Sequence, residues 1–453
     1  MKIIIVGAKA IGSHLSQLLS RNNEDVTLID EDGERLAQLA ADYDILTMQA
    51  PPCSLATMRD VGVAKADLFI AVTSNENQNV QSCIMARRLG AKKTVAKVEN
   101  KEYILDEYID FYKGLGLSSI IYPEMLAAND IISGLKMSWV RQRWDVHDGA
   151  LVMLGIKLRQ ECTILGRPLR DICGPEDPYH VVAVKRGNET FIPGGNDELE
   201  IYDLAFFMTT KQYIPYIRKI VGKEGYTDVK NAMFMGGGKT CVRSILNLPD
   251  YMHAKVIEIN ENRCNELNDL FGDKCLVING DGRDASLLAE EGIKNTQAFV
   301  ALTNNSETNI LACLAAKKQG VRKTIAMVEN LDYISMAESL DIGTIINKKT
   351  IAASHIYQLM LDENVRNMRF LTIVQADVAE FIAMEGSRIT KKPVKDLAIP
   401  RGMTIGGLVR NGEGFLVSGN TQIQAGDTVM VFSYKANINR VEELFKKSCC
   451  FSL

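Results

Sequence analysis

The hydrophobic residues in the first half of the chain form short apolar runs, separated by longer segments with helical spacing. Segments such as ERLAQLAADY and NVQSCIMARRLG place apolar residues three or four positions apart, as amphipathic helices do. Short apolar strands that alternate with helices are typical of a parallel, doubly wound sheet. The six runs cover residues 3–6, 26–29, 45–48, 68–72, 94–98 and 120–122.

The second half of the chain repeats this pattern. The segment KKTVAKVENKEY begins at Lys92, and the similar segment RKTIAMVENLDY begins at Arg322, 230 positions later. Self-similarity over such a distance indicates a duplicated structural unit. The six runs of the second copy cover residues 232–235, 256–259, 276–278, 299–302, 324–328 and 344–346.

After its six runs, each half continues with an amphipathic segment and then changes period. The segments LAANDIISGLKMSWV and IAASHIYQLML have helical spacing, which predicts connecting helices near 123–140 and 348–361. The regions at about 148–210 and 369–434 then alternate apolar and polar residues between glycine turns. Such alternation predicts two small β-rich modules.

The β-rich regions are also copies of one another. GGNDELEIYD, which contains Asp203, matches SGNTQIQAGD, which contains Asp427. The sequence therefore predicts an α/β protein with two tandem doubly wound parallel-sheet (Rossmann-like) lobes, each followed by a small β-rich α+β module. The expected domains are residues 1–146 and 147–227 in the first half, and 228–366 and 367–453 in the second.

Charge and hydropathy exclude two classes of protein. The 52 Lys and Arg residues are balanced by 56 Asp and Glu residues, for a net charge of -4, so we expect no nucleic-acid partner. The apolar runs have the length of strands and are shorter than the roughly 18 to 20 residues that span a bilayer, so we expect no integral membrane segment. The N-terminal MKIIIVGA leads directly into a strand and a glycine turn, which does not fit a signal peptide.

The ten cysteines are scattered and form no C-x-x-C motif, so we expect neither a zinc site nor a disulfide framework. A reducing cytoplasm suits this pattern. The adjacent Cys449 and Cys450 are interpreted as part of an inert tail, with a redox-active pair as the alternative. None of the five histidines occupies matching positions of the repeat, and we expect no catalytic residues and no metal site.

A glycine-rich turn follows the first strand of each half: GAKAIG from Gly7 and GGGKTC from Gly236. In dinucleotide-binding folds the first glycine forms the tight turn, the second admits the pyrophosphate, and the third lets helix and strand pack closely. Lys9 replaces the second glycine in the first copy, and Cys241 replaces the third in the second copy. A turn without a ligand remains the alternative. A P-loop would need glycine at position 233, which is methionine.

An acidic residue ends the second strand of each half, Asp30 in the first and Glu258 in the second. A carboxylate in this position can accept hydrogen bonds from the ribose hydroxyls of an adenosine. Neither acid has an adjacent arginine for a 2′-phosphate, which favours NAD, ATP or ADP over NADP. The alternative is that each acid only caps the following helix.

The remaining strand ends differ between the two halves. Gly280-Asp281-Gly282 follows the third strand of the second half, whereas Ala50-Pro51-Pro52 occupies this place in the first. Thr73-Ser74 and Thr303-Asn304 follow the fourth strands and provide hydroxyl, amide and backbone donors. Lys97 ends the fifth strand of the first half, but methionine replaces it in the second. The second pocket is therefore expected to suit adenosine better.

These motifs occur in a fixed order in both halves: glycine turn, strand-end acid, A-x-T-x-x-x-x-x-N and V-E-N, with Gly-Asp-Gly present in the second. The order resembles that of RCK domains, the regulators of potassium conductance, and two complete copies cover essentially the whole chain. The resemblance implies a cytoplasmic regulatory protein, peripheral on the inner face of the cell membrane. Its implied ligand is NAD(H), with ATP or ADP as further candidates. It also implies a homo-oligomeric ring, a tetramer of tandem units, on an integral membrane potassium-conducting subunit of the Trk type.

Transferred onto this sequence, the resemblance implies two nucleotide sites and no enzymatic activity. The alternative is an NAD-dependent oxidoreductase with two dinucleotide-binding lobes, although the short β modules offer little for a substrate domain. The implied cofactor-binding residues are Gly7, Ala8, Lys9, Ala10, Ile11, Asp30, Thr73, Ser74 and Lys97 in the first site, and Gly236, Gly237, Gly238, Lys239, Thr240, Glu258, Gly280, Asp281, Thr303 and Asn304 in the second.

Overall fold

A computed structural model describes the chain except for residues 22, 175, 361–364, 372–375, 401, 435–437 and 447–453, and leaves out the side chains of 148, 366–371 and 438–440. Cys449, Cys450 and the predicted helix end at Leu361 lie outside the described residues. The chain divides into two compact units. Unit 1 comprises residues 1–126 and 348–360, and unit 2 comprises residues 127–347 and 361–453.

Unit 1 is built on a six-stranded parallel sheet with the strand order β3-β2-β1-β4-β5-β6. The central β1 is fully buried from Ile3 to Val6, as expected for a strand covered by helices on both faces. The order reverses between β1 and β4, which opens a crevice at their carboxyl ends. The strands are β1 (Lys2–Val6), β2 (Asp25–Asp30), β3 (Leu46–Gln49), β4 (Leu68–Ala71), β5 (Lys93–Lys97) and β6 (Ser119–Ile121).

Helices follow the strands of this sheet in alternation. Several begin at side-chain caps, such as Ser54 before α3 and Asn75 before α4, because these short polar side chains accept from free backbone N–H groups of the first turn. The helices are α1 (Ala10–Arg21), α2 (Gly33–Asp42), α3 (Leu55–Asp60), α4 (Glu76–Leu89), α5 (Asp106–Gly114) and α6 (Pro123–Lys136), the last of which begins in unit 1.

The predicted connecting helix 123–140 ends at Lys136, four residues early. Trp139 and Val140 instead pack into the core of the first β module. Trp139 and Val140 fit the helical spacing only because they are apolar. The helix ends before them, and they are buried against a sheet.

Unit 2 contains a second parallel sheet with the equivalent order β14-β13-β12-β15-β16-β17. The twelve strands predicted for the two lobes are confirmed, with ends that differ by at most three residues. The elements of this lobe are β12 (Asn231–Met235), α9 (Lys239–Leu246), β13 (His253–Glu258), α10 (Glu261–Phe271), β14 (Cys275–Asn279), α11 (Ala285–Glu290), β15 (Ala298–Ala301), α12 (Ser306–Lys318), β16 (Lys323–Met327), α13 (Asp332–Ser339) and β17 (Thr344–Ile346).

The connecting helix of the second half, α14 (Lys348–Met360), groups with unit 1, where it packs on α1. In chain order it follows the second lobe, in which the sequence interpretation placed it. Residues such as Ala352, Ile356 and Tyr357 are buried, so the helix needs an apolar partner. Hydrophobic spacing shows that a helix is buried but not which surface covers it. The division into four domains in chain order stays a prediction.

Two antiparallel sheets confirm the predicted β-rich modules, and both lie in unit 2. The first has the order β10-β9-β11-β8-β7 and the second the order β18-β19-β22-β20-β21. The first module contains β7 (Gln142–Val146), β8 (Leu151–Lys157), α7 (Leu169–Ile172), β9 (Tyr179–Arg186), β10 (Glu189–Phe191), β11 (Leu204–Thr209) and α8 (Ile214–Ile220); the second contains β18 (Val365–Leu371), β19 (Ala376–Ile382), β20 (Met403–Arg410), β21 (Glu413–Leu416), β22 (Thr428–Tyr434) and α15 (Ile438–Phe445).

Each β module contains its own ion pair between an arginine and a buried aspartate, at equivalent positions. Arg186 Nε and Nη2 donate to the carboxylate of Asp203 at 3.0 and 2.9 Å, and Arg410 donates to Asp427 at 2.8 and 2.6 Å in the same way. Both carboxylates are almost completely buried. The aspartates were aligned from the sequence, and the structure adds the arginine at each matching position.

Where the chain is described, none of its helices is long and apolar enough to cross a lipid bilayer. The eight cysteines within that part are free thiols. Burial raises the pKa of the Cys173 thiol to about 11 and that of Cys275 to about 12, so both are held in the protonated, unreactive form.

Candidate functional site

The glycine turns lie at the switch points of the two parallel sheets, where they approach the loop after the fourth strand. Gly7 has a φ of +105°, and a Cβ atom on it would lie 2.8 Å from the backbone nitrogen of Thr73. Gly236 has a φ of +94°, and its Cβ would lie 3.1 Å from the nitrogen of Thr303. Glycine therefore serves both backbone conformation and close approach, as a dinucleotide fold requires.

Replacing Gly7 by alanine is expected to lower the free energy of unfolding of unit 1 by about 2 kcal/mol, because the new methyl group meets backbone atoms in an unfavourable φ region. Urea unfolding followed by circular dichroism measures this loss. Gly90→Ala is the matched control, since Gly90 has a φ of +114° and its nearest neighbour would be 3.4 Å from the new atom. We expect a loss of about 1 kcal/mol there. Equal losses in both variants would contradict the role assigned to close packing at Gly7.

The strand-end acids hold the glycine turns in the same way in both lobes. Asp30 Oδ2 accepts from the backbone N–H of Ala8 at 2.5 Å, and Glu258 Oε2 accepts from that of Gly237 at 2.7 Å. The other oxygen of each carboxylate accepts from the N–H group two residues further on, at 2.9 Å. Each carboxylate has four lone-pair sites and can accept ribose hydroxyls as well.

The helices after these acids have their own caps. Asp32 accepts from the N–H of Arg35 at the start of α2, and Asn260 accepts from that of Arg263 at the start of α10. The alternative interpretation of Asp30 and Glu258 as helix caps is therefore not what the structure shows. Their hydrogen bonds place both carboxylates beside the glycine turns at the sheet edge.

A buried asparagine connects two loops in each lobe. Asn309 Oδ1 accepts from the backbone N–H of Thr303 at 3.0 Å and from its hydroxyl at 2.6 Å, while Nδ2 donates to the carbonyl oxygen of Met327 at 2.8 Å. Asn79 makes the same bonds to Thr73 and Lys97. This explains the repeated A-x-T-x-x-x-x-x-N motif. The asparagine fixes the shape of the loop, and it engages the backbone N–H and the hydroxyl of the threonine in hydrogen bonds.

The second lobe forms a cavity of about 520 Å³ at its switch point. This volume lies within the range of small-molecule sites. Eight of the ten predicted residues line the cavity: Gly236, Gly237, Gly238, Glu258, Gly280, Asp281, Thr303 and Asn304. The other two, Lys239 and Thr240, lie in the first turn of α9 and do not line it.

Two arginines in this cavity were not found from the sequence. Arg263 Nε donates to the carbonyl oxygen of Gly237 at 3.0 Å, and Nη1 of the same side chain donates to Glu266 Oε2 at 2.6 Å. Arg283 pairs with Asp281, whose pKa the guanidinium lowers through a hydrogen bond. Arg263 is five residues beyond Glu258, so only the turn of α10 brings it back to the glycine loop. Both guanidinium groups are thus paired with carboxylates, and they line the cavity of the lobe in which Met327 replaces Lys97.

The first lobe places its candidates at the equivalent sheet edge. The exposed Lys9 donates from Nζ to Ser74 Oγ at 3.2 Å, which joins the glycine turn to the loop after β4. Lys97 Nζ bonds Glu99 Oε1 at 2.6 Å, so its positive charge is already partly balanced. Ala10 and Ile11 begin α1. The residues fit a phosphate-bearing ligand through Lys9 and the helix start more than through Lys97.

The Ala50-Pro51 loop keeps one backbone feature of its counterpart. The N–H of Ala50 donates to the carbonyl oxygen of Asp30 at 3.0 Å, as that of Gly280 does to Glu258. The side chains differ, since no acid corresponds to Asp281. The two edges therefore share a backbone framework and differ in the groups they offer to a base or ribose.

Known protein families match both halves of the chain. The TrkA-N domain model matches residues 3–123 and again residues 232–348, together more than half of the chain. The TrkA-C domain model matches residues 378–446. The duplicated lobes and the second β module thus each correspond to a described family.

Relatives with similar sequences span the full length. The Trk system potassium uptake protein TrkA homolog 1 of Methanosarcina mazei is 28% identical over 98% of this chain and 100% of its own. The Trk system potassium uptake protein TrkA of Halomonas elongata is 27% identical over 100% of both chains.

Solved structures show the same fold. The crystal structure of the GsuK RCK domain has a TM-score of 0.61 at 15% identity and covers 98% of this chain and 94% of its own. The GsuK channel bound to NAD has a TM-score of 0.60 at 15% identity, with 98% and 78% covered.

Proposed function

The chain belongs to the TrkA-N domain family, and on that basis we propose that it is a nucleotide-sensing regulatory subunit of a Trk-type potassium-uptake system. Relatives named as Trk system potassium uptake proteins match it from end to end. In this proposal the protein is not an enzyme. It is a cytoplasmic protein that assembles peripherally on an integral membrane potassium-conducting subunit, as a homo-oligomeric ring.

One observation carries the nucleotide part of the proposal: in both lobes a strand-end carboxylate accepts from the backbone of the glycine turn. Asp30 and Glu258 do so at 2.5 and 2.7 Å. This arrangement supports the proposal, because an adenine nucleotide needs an acceptor for its ribose hydroxyls close to backbone donors for its phosphates. NAD(H), ATP and ADP all contain this adenosine phosphate portion.

The second site is the better equipped for adenosine. Its cavity contains Asp281 and the guanidinium groups of Arg263 and Arg283, whereas the first lobe has Ala50 and Pro51 in place of the Gly-Asp pair. Nucleotide binding at the first site is proposed to depend on Lys9, which reaches Ser74 across the mouth of the turn.

Regulation requires that the nucleotide bind two shapes of the ring unequally. A difference of about 1.4 kcal/mol in binding free energy shifts the equilibrium tenfold. Phosphate binding at the glycine turns would pull on α1 and α9, and the Asn79 and Asn309 bonds would transmit the loop position to the fifth strands. The helices α6 and α14, which follow the lobes in the chain, are proposed to carry the motion.

NADH is expected to bind at least tenfold more tightly than NADPH. The carboxylate of Glu258 would face the 2′-phosphate, and repulsion between the two charges outweighs the attraction of Arg263, which is already engaged with Glu266. Isothermal titration calorimetry of the full chain with both nucleotides measures the ratio. In Glu258→Gln the preference should shrink to within about threefold; a preference that survives this change would contradict the role of the acid.

Turnover separates the regulator from an NAD-dependent oxidoreductase. We expect saturable nucleotide binding but no steady oxidation or reduction when NADH or NAD is supplied with panels of small alcohols, hydroxy acids and carbonyl compounds. The absorbance of NADH measures turnover in this assay. Steady turnover that disappears in Glu258→Ala would establish the enzyme and reject the proposal.

A further inference from the structure

A second basic cavity lies in unit 2, away from both glycine turns. It has a volume of about 510 Å³ and is lined by three cationic side chains, Arg159, Lys223 and Arg322, with Glu161 as the carboxylate among them. Tyr202 and Tyr226 form aromatic walls. None of these residues belongs to the nucleotide sites, so the cavity needs an explanation of its own.

Lys223 is the unusual member of this group, because its amine is buried and has few hydrogen-bond partners. Lys223 is only 4% exposed to solvent. Among the described residues its Nζ atom has one hydrogen-bond partner, Tyr226 Oη at a long 3.5 Å, and it forms no ion pair. The ammonium also lies 4.9 Å from the centre of the Tyr226 ring. A buried cation without a carboxylate is unfavourable, since protein groups replace little of its lost hydration.

The surrounding charges add to this imbalance. Arg159 shares the carboxylate of Asp341 with Arg141 and Lys317, so one acid serves three cations. Arg322 donates to the carbonyl oxygen of Gly225 and lies 5.5 Å from the Tyr226 ring. Within the part of the chain that the structure describes, the positive charges around the cavity therefore exceed the negative ones.

We propose that this cavity binds a phosphate group, carried either by inorganic phosphate or by a small phosphomonoester. A phosphate dianion supplies the two negative charges that the cluster lacks, and guanidinium groups bind phosphate oxygens in a favourable planar geometry. The volume leaves room for a small organic group beside the aromatic rings. The site is lined by residues of the first β module and by Arg322, which directly precedes β16, so its ligand would link these two parts of unit 2.

Calorimetric titration of the full chain with inorganic phosphate, and separately with phenyl phosphate, a phosphomonoester without the adenosine that the glycine-turn sites are proposed to bind, tests the site. We expect binding of at least one of them, and a loss of at least tenfold in affinity in Lys223→Met. Tighter binding of phenyl phosphate would identify a phosphomonoester as the ligand, and equal or tighter binding of inorganic phosphate would identify the free ion. Lys219→Met is the matched control, because Lys219 is an exposed lysine in the neighbouring α8 and its loss changes the net charge equally. Its affinity should stay within twofold.

Unchanged affinity in Lys223→Met, or equal losses in both lysine variants, would overturn the proposal. If Lys223→Met does not fold, the exposed Arg322→Gln provides the same comparison, with an expected loss of about fivefold. Failure of this test would not affect the nucleotide sites, because NADH binding and its dependence on Glu258 are measured independently.

A pH series gives a second readout that a merely structural lysine would not produce. Burial, with the nearby Arg159 and Arg141 cations, lowers the pKa of Lys223 to about 8, against the opposing effect of Glu161 and the Cys162 thiol. Phosphate binds the protonated amine, so its affinity should fall about tenfold between pH 8 and pH 9.5, where inorganic phosphate remains a dianion. A flat profile over this range would contradict a direct contact between Lys223 and the anion.

Discussion

Replacing Glu258 by alanine should weaken NADH binding at the second lobe by about 50-fold. The carboxylate is expected to accept hydrogen bonds from the ribose hydroxyls, and hydrogen bonds to a charged group contribute about 1.5–3 kcal/mol each. It also holds the N–H of Gly237 at 2.7 Å, so its removal loosens the turn that should bind the phosphates. Calorimetric titration of the wild-type chain and the variant with NADH, ADP and ATP measures the loss for each nucleotide.

The neighbouring Asn260 provides the control for this experiment. Its side chain caps α10 but does not line the cavity, so Asn260→Ala should lower stability by about 1 kcal/mol and change nucleotide affinity less than twofold. Asp30→Ala makes the equivalent change in the first lobe and shows whether that site binds as well. If Glu258→Ala and Asp30→Ala both bind as tightly as the wild type, the acids serve only to shape the turns.

Replacing Asp427 by alanine should lower the free energy of unfolding of the second β module by about 3 kcal/mol. Asp427 is 2% exposed and receives two hydrogen bonds from Arg410 and a third from the backbone N–H of Gln424 at 2.8 Å. Removing one partner of a buried pair leaves the other charge uncompensated, which costs roughly 3–5 kcal/mol, and the partial exposure of Arg410 places this case at the lower end. Urea unfolding of the full chain, followed by far-ultraviolet circular dichroism, measures the change in the free energy of unfolding.

Three variants define what the loss means. Asp396→Ala removes an exposed acid of the same module and should change stability by less than about 0.5 kcal/mol. Asp427→Asn keeps a hydrogen-bond acceptor and should lose less than alanine does. Asp203→Ala should reproduce the large loss in the first module, where Arg186 makes the matching bonds. A loss at Asp427 no larger than that at Asp396 would contradict the importance of the pair.

Local sequence patterns were sufficient for the strands of the parallel sheets. A strand buried on both faces must be apolar throughout, as Ile3 to Val6 are, and the glycine that follows must turn with a positive φ. These requirements act within a few residues, so they are visible in the chain itself. The strand-end acids were found for the same reason, because strand end and sheet edge coincide.

Contacts between distant residues were not predictable in this way. Arg263 lines the second cavity because α10 turns it back toward Gly237, and Arg410 reaches Asp427 across neighbouring strands. Their sequence separations carry no periodic signal. The same limit applies to α14, whose buried face could have packed against either lobe until its contact with α1 assigned it to unit 1.

By itself, the sequence determined the duplicated α/β architecture, the positions of the glycine turns, and the acids Asp30 and Glu258. It did so because hydrophobic period, turn chemistry and self-similarity are properties of neighbouring or repeated residues. Only the tertiary structure decided that these acids bond to the turns and do not cap helices, that asparagines tie the loops together, and that Lys223 lies buried among cations. Those features depend on which surfaces meet after folding, and no local pattern encodes that choice.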